Sequence, residues 1–333
     1  MASTWIAFLS TRAGKVSNGG MIPSYRLVGP VPDVFVVRVD GSGGKQISDS
    51  DGFGPSSAGR WAAHARSLVW LGEQGLMVTD VEQNTTRVLV AVGSAGEVVD
   101  FAWDPAGRRL AVLFQREVRL YDLHGSLLAT WGGPQARTGI FRALDWSRTG
   151  GLAIFLKRAG IYATSDTDRL QGWHLLCNFG GSFERCSLRW NPDGKRLLFT
   201  GSARGSPTPR QTWLVNADGT GLRPLHADLL SWESGSSWSP DGKTIAYQGP
   251  DPSSGVEQEH VYVAALDGSP PRDLTPQGAR AGWPTWSPDG AQLAFAANTD
   301  GRWHIYVANA DTGEGHPVTD GPGDDTCPVW SSL

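Results

Sequence analysis

Long apolar runs are missing from this chain of 333 residues. The longest near its start, Trp5 to Leu9, is too short for a membrane span or a signal-peptide core, and no cationic stretch precedes it. As written, the sequence reads as cytoplasmic, or as periplasmic or secreted if a leader belongs in front of it. Cysteine is scarce. Cys177, Cys186 and Cys327 form a small, odd set, which argues against a disulfide scaffold and for free thiols. Basic residues are not clustered. With 29 Lys and Arg against 33 Asp and Glu, the net charge is −4 and no stretch could grip a phosphate backbone, so no nucleic-acid partner is expected. Charge is modest at 19% and hydrophobic residues reach 40%, which excludes a disordered chain.

What the chain does have is 43 Gly, 21 Pro and 15 Trp, and many of the Trp residues recur at regular intervals. The segments Trp238-Ser-Pro-Asp-Gly-Lys-Thr-Ile-Ala-Tyr247 and Trp286-Ser-Pro-Asp-Gly-Ala-Gln-Leu-Ala-Phe295 nearly superimpose. Trp190 to Phe199 is a third copy, Trp103 to Val112 a fourth that has lost the turn Asp, and weaker copies begin at Trp61, Trp146 and Trp330. The anchors Trp61, Trp103, Trp146, Trp190, Trp238, Trp286 and Trp330 are separated by 42, 43, 44, 48, 48 and 44 residues. A period of roughly 40–50 residues built of short strands is the signature of a β-propeller.

Each repeat reads as four strands. The first ends on the anchor Trp, the second is the Ile-Ala-Tyr type of run, the third is a β-branched and aromatic run such as Val261-Tyr262-Val263, and the fourth is brief. Asp-Gly pairs at 193–194, 241–242 and 289–290 mark turns between first and second strands, and those at 218–219 and 267–268 mark turns between third and fourth. Residues 4–48 supply three strands with no first strand before them, and Cys327 to Trp330 supplies a first strand with nothing after it. The expected fold is therefore all-β: a seven-bladed propeller of four-stranded antiparallel blades, one domain over 1–333, closed by a composite blade of 1–48 with 324–333. The other blades fall near 55–92, 97–131, 140–177, 184–226, 232–275 and 280–319.

The Trp-Ser-Pro-Asp-Gly-x-x-Ile-Ala-Phe pattern resembles the TolB-like propeller family, strongly from Trp190 onward and loosely before it. The resemblance implies the fold and leaves function to the site. Members include a periplasmic partner of envelope lipoproteins, gating propellers of serine peptidases, and polysaccharide lyases. The sequence as written shows no added amino-terminal domain, hydrolase domain or leader. The lyases use channel histidines with a metal, and none of His64, His124, His174, His226, His260, His304 or His316 falls at a position expected to line the channel mouth. No nucleophile-elbow motif appears either.

Turns between first and second, and third and fourth, strands are short. The long connections, including 11–32, 201–210 and 249–259, join second to third strands or one blade to the next. A ligand is therefore expected on the loop-bearing side, where residues three to six before each anchor ring the mouth. Arg142, Phe183, Glu184, Arg185, Trp232, Glu233, Arg280 and Trp283 are the candidate binding residues. Aromatic plates beside Arg and carboxylate groups suit a protein segment or a glycan. The alternative is that Arg142 and Arg185 pair with Glu184 and Glu233 and plug the channel. Trp70, Trp213 and Trp303 fit strand patterns and read as core, whereas Trp232 and Trp283 do not and read as surface. Asp49, Asp51, Asp324 and Asp325 flank the composite blade and could hold Ca²⁺, although Asp and Gly also simply make turns. The segment 11–32 could arch over the mouth as a lid. The leading reading is a non-catalytic binding module. The others are a polysaccharide lyase or hydrolase using Glu184, Glu233, Asp324 and Asp325, and a scaffold in a larger assembly.

Overall fold

The computed structural model describes residues 4–12, 21–22, 25–26, 32–48, 59–62, 66–91, 98–132, 140–156, 160–178, 187–201, 211–225, 236–251 and 259–331. Their strands form seven four-stranded antiparallel sheets, the blades of a β-propeller, together with a small hairpin in which Met21–Ile22 pairs with Tyr25–Arg26 inside the 11–32 segment. None of the described residues is helical. The first strand of every blade ends on its anchor: Arg60–Trp61, Val98–Trp103, Phe141–Trp146, Leu188–Trp190, Ser237–Trp238, Arg280–Trp286 and Asp325–Trp330.

Blade 1 is sewn from both ends of the chain. Its strands lie in the order Asp325–Trp330, Trp5–Ser10, Asp33–Arg38, Lys45–Gln46, with Ile6 opposite Trp330 and Ser10 opposite Asp325. The chain divides into two compact units, Met1–Val92 with Gln258–Val263 and Arg272–Leu333, and Gly93–Glu257 with Ala264–Pro271.

In the first unit, the strand Trp5–Ser10 is buried along its whole length. Side chains alternate across a strand, so it feeds two cores. Trp5, Ala7 and Leu9 pack with Trp61, Leu68 and Trp70 of blade 2, while Ile6 and Phe8 pack with Ala294, Ile305 and Val307 of blade 7. The second unit repeats the device. Leu152, Ile154 and Leu156 join the core with Leu113 and Leu120 of blade 3, and Ala153 and Phe155 join that with Leu197 and Phe199 of blade 5. A central strand covered on both faces needs a continuous apolar run, which is what each second strand has.

At three of the anchors Trp supplies more than size. The Trp330 indole N–H donates to the Thr285 carbonyl at 3.0 Å, Trp61 to Val329 at 3.0 Å and Trp238 to Arg189 at 3.2 Å. Each acceptor directly precedes the anchor of the preceding blade, so a large apolar ring is delivered with its one polar atom satisfied. The following turn is tied by side chains. Ser287 Oγ donates to Asp289 Oδ1 at 2.6 Å and accepts from Gln292 N at 2.9 Å, and Ser239 and Asp241 repeat the arrangement. In blade 3, which lacks the turn Asp, Asp104 stands at the Ser position and accepts from the Arg108 and Arg109 amides.

Candidate functional site

In the first unit, the ends of the blade strands that carry the long connections bring aromatic and charged side chains together. Trp303 opens the third strand of blade 7, Trp303–Asn309, after the turn that follows Asn298. Trp283 meets it edge-on, with ring centroids 5.3 Å apart and planes at 76°. The Arg280 guanidinium lies over the Trp303 ring at 5.7 Å, and its side chain is 50% exposed. Glu259, at the start of Glu259–Ala265 in blade 6, is 3.6 Å from Arg280. Beside them, Asp324 accepts from the Trp303 amide at 3.0 Å while its own amide donates to Thr11 Oγ1 at 2.9 Å.

A bulge produces this arrangement. Pairing between Arg280–Trp286 and Gln292–Asn298 shifts between Gly282 and Thr285, and Trp283 takes φ +57°, a left-handed conformation rare for a bulky residue. Blade 1 carries the same device at the same distance from its anchor: Cys327 has φ +54°, and pairing with Trp5–Ser10 shifts across Thr326 to Val329. In both, the left-handed residue is followed by a proline, Pro284 or Pro328.

Behind this surface lies a buried ion pair. Asp325 is fully buried, and Arg12 grips it with one edge of its guanidinium: Nε donates to Oδ1 at 3.1 Å and Nη2 to Oδ2. The same guanidinium covers Phe8 at 5.5 Å and Phe35 at 5.9 Å, which are themselves stacked.

Of the residues singled out from sequence, Arg280, Trp283, Asp324 and Asp325 are brought together here. Arg142 belongs to the other unit, at the bulge between Phe141 and Ala143, with its Nε buried and without an acceptor among the described residues. Phe183, Glu184, Arg185, Trp232, Glu233, Asp49 and Asp51 lie outside the described residues. Two expectations need correction. Trp283 is no loop residue: it lies within a strand, partly buried against Trp303, because the bulge absorbs the break in alternation. Trp303 is only partly buried and serves as the plate under Arg280 rather than as plain core. Asp324 accepts from the Trp303 amide through Oδ1 and Asp325 is paired with Arg12, and no group of three metal-ligating side chains is found among the described residues. Sequence reasoning missed Arg12, Thr11 and Glu259. Their positions in the connections between second and third strands were the available signal.

No family model matches the chain. Dipeptidyl-peptidase 5 of Porphyromonas gingivalis is 21% identical over 315 residues, covering 88% of this chain but only 44% of that protein, so the chain spans less than half the length of this relative. Among solved structures, TolB from Acinetobacter baumannii matches with a TM-score of 0.58 at 15% identity, over 99% of this chain and 67% of that one. The β-propeller domain of the Trilobed protease from Pyrococcus furiosus matches at 0.63 and 12% identity, over 96% and 95%. An oligogalacturonate lyase in complex with manganese matches at 0.61 and 15% identity, over 84% and 82%. The fold is thus a seven-bladed, TolB-like β-propeller. The Pyrococcus domain is described as having an open velcro topology, whereas here Asp325–Trp330 pairs with Trp5–Ser10.

Proposed function

We propose that this chain is a non-catalytic binding propeller that recognises a polypeptide segment at the loop-bearing ends of blades 7 and 1. The observation that carries the reading is the half-exposed Arg280 guanidinium held over Trp303 beside the exposed Asp324 carboxylate. A cation fixed on an aromatic plate offers flat apolar area together with directional donors, and a nearby carboxylate accepts from amides. Such Trp and Arg pairs are typical energetic centres of protein interfaces. A polypeptide is favoured over a glycan because two of the similar proteins, a dipeptidyl-peptidase and a protease, act on peptide bonds by name.

The test is selection of a random heptapeptide display library on the immobilised protein, followed by affinity measurement on the enriched peptides. Arg280→Ala should weaken binding about tenfold, on the order of 1.4 kcal/mol, with an unchanged melting temperature. Trp303→Phe should weaken it less. Enriched peptides that bind Arg280→Ala as tightly as the parent would sink the proposal. Turnover of oligogalacturonate with manganese added would favour the lyase reading instead.

A further inference from the structure

On the short-turn side of the first unit, blade 1 departs from the repeat. In five other blades the third-strand residue opposite the start of the second strand is an acid, an amide or a hydroxyl: Asp80, Asp122, Thr164, Asn216 and Asn309, opposite Ser67, Arg109, Leu152, Arg196 and Gln292. Blade 1 places a cation opposite an indole there, Arg38 against Trp5. This face of blade 1 is turned to blade 2, where Trp5 joins the core with Trp61 and Trp70. The Arg38 guanidinium lies 4.7 Å from the centre of the Trp5 ring, and Lys45 Nζ lies 5.5 Å from it. The two charges are therefore no more than about 10 Å apart, a Debye length at ordinary ionic strength.

Neither charge has a carboxylate within ion-pair distance among the described residues, whereas Arg12, Arg109, Arg119 and Arg280 each do. Lys45 Nζ donates to the Val81 carbonyl, a tie between neighbouring blades that Arg272 repeats on the Ala310 carbonyl. Lys45 is thus part of the repeat and Arg38 is the addition. Arg38 itself reaches only Ser42 Oγ, at 3.5 Å, and the Asp40 carboxylate close by accepts from the Ser42 amide instead. Together with Gly43 and Glu82, these two cations and Trp5 line a cavity of about 380 Å³, in the range of small-molecule sites. Gly43 has φ +68°, and a Cβ on it would fall 2.9 Å from Arg38 Nη1 and 3.4 Å from the Trp5 ring, so any side chain there would press on the guanidinium. Glu82 is the one acid of this lining, and it is exposed and 3.6 Å from Arg66.

We infer that this cavity binds a phosphate group, free or carried on a small molecule, with its oxygens on the Arg38 guanidinium and its second charge answered by Lys45. A planar guanidinium matches phosphate oxygens in pairs, and an ammonium adds a point charge. A dianion answers both cations, where a carboxylate answers one. The site is separate from the Arg280 surface, because Trp5 starts and Arg38 ends its strand at the short-turn ends.

Calorimetric titration in a phosphate-free buffer of low ionic strength, with inorganic phosphate, glycerol 3-phosphate and acetate, tests the inference. Inorganic phosphate should bind with a Kd of about 1 mM or tighter, and acetate at least tenfold more weakly. Tighter binding of glycerol 3-phosphate than of phosphate would mark a carried group, and equal binding the free anion. Arg38→Gln should lose about tenfold with its circular dichroism melt retained. Glu82→Gln, an exposed change, should tighten binding roughly threefold by removing a like charge. Arg280→Ala should bind phosphate like the parent, which keeps this site apart from the polypeptide surface. No heat from the folded parent at phosphate up to about 10 mM, acetate binding as tightly as phosphate, a folded Arg38→Gln variant indistinguishable from the parent, or a Glu82→Gln variant that binds no more tightly would each overturn it.

Discussion

At the scale of single residues, Asp325 and Arg12 form a pair that cannot be half removed. Asp325 is fully buried and Arg12 is largely so, with its ring contacts to Phe8 and Phe35 adding packing. Deleting the cation strands a buried carboxylate, which typically costs about 3–5 kcal/mol. Arg12→Ala should lower unfolding free energy in urea by that amount, and a loss under about 1 kcal/mol would show that water reaches Asp325. Cys177 makes a different prediction. Burial pushes its thiol up to about 12, from 9.0. The protonated thiol is the form the fold prefers, so its contribution is full below the unfolded value and is lost as pH rises from 9 toward 12. Native Cys177 should therefore resist iodoacetamide at neutral pH and react only on unfolding, as peptide mass spectrometry would show.

At the scale of elements, the Trp-Ser-Pro-Asp-Gly turn is the best-determined piece. Asp241 is held below its usual range first by the Ser239 hydroxyl and then by the Lys243 amide, and Asp289 by Ser287 and Ala291 in the same way. A depressed carboxyl stabilises the fold above its unfolded value of 3.8, and this support is lost as pH falls below that through the folded value. Acid unfolding should thus begin below pH 4, and Asp241→Asn together with Asp289→Asn should flatten that limb of the pH–stability curve. Gly242 has φ +69° with its would-be Cβ 2.4 Å from Asn191 Oδ1, so Gly242→Ala should cost about 1–3 kcal/mol in thermal melts. The turn was legible from sequence because its residues are contiguous and chemically specific. The bulges at Trp283 and Cys327 were not, since a local two-residue alternation gives no sign that the backbone turns left-handed there. The Pro following each was a mark only in hindsight.

At the scale of the whole molecule, the repeat interval disclosed the number of blades, and the missing first strand at one end pointed to its partner at the other. The surface around Trp303 was less legible. Thr11, Glu259, Arg280 and Asp324 come from three blades, and which loops meet is a property of the assembled sheets rather than of any window. Position relative to the anchors singled out Arg280, Trp283 and Asp324, which the fold brings to one surface, but carried no information on Arg12 or on the role of Trp303. Removing residues 326–333 tests the architecture directly. It takes away the partner of Trp5–Ser10, the Val329 carbonyl that receives Trp61 and the Trp330 bond to Thr285. Circular dichroism melts of the truncated chain should show a markedly lower, broadened transition; a melt like that of the full chain would exclude Asp325–Trp330 as a necessary strand.

The composite blade also sets a clock. Trp5 N–H donates to Ser331 Oγ, a contact spanning 326 positions. A ribosome adding about 5–20 residues per second needs roughly 15–65 s to bring the second partner into being. Throughout that interval the strand Trp5–Ser10, apolar on both faces, has one open edge and no mate. The chain's yield in the cell should therefore depend on how long that edge is kept from other edges.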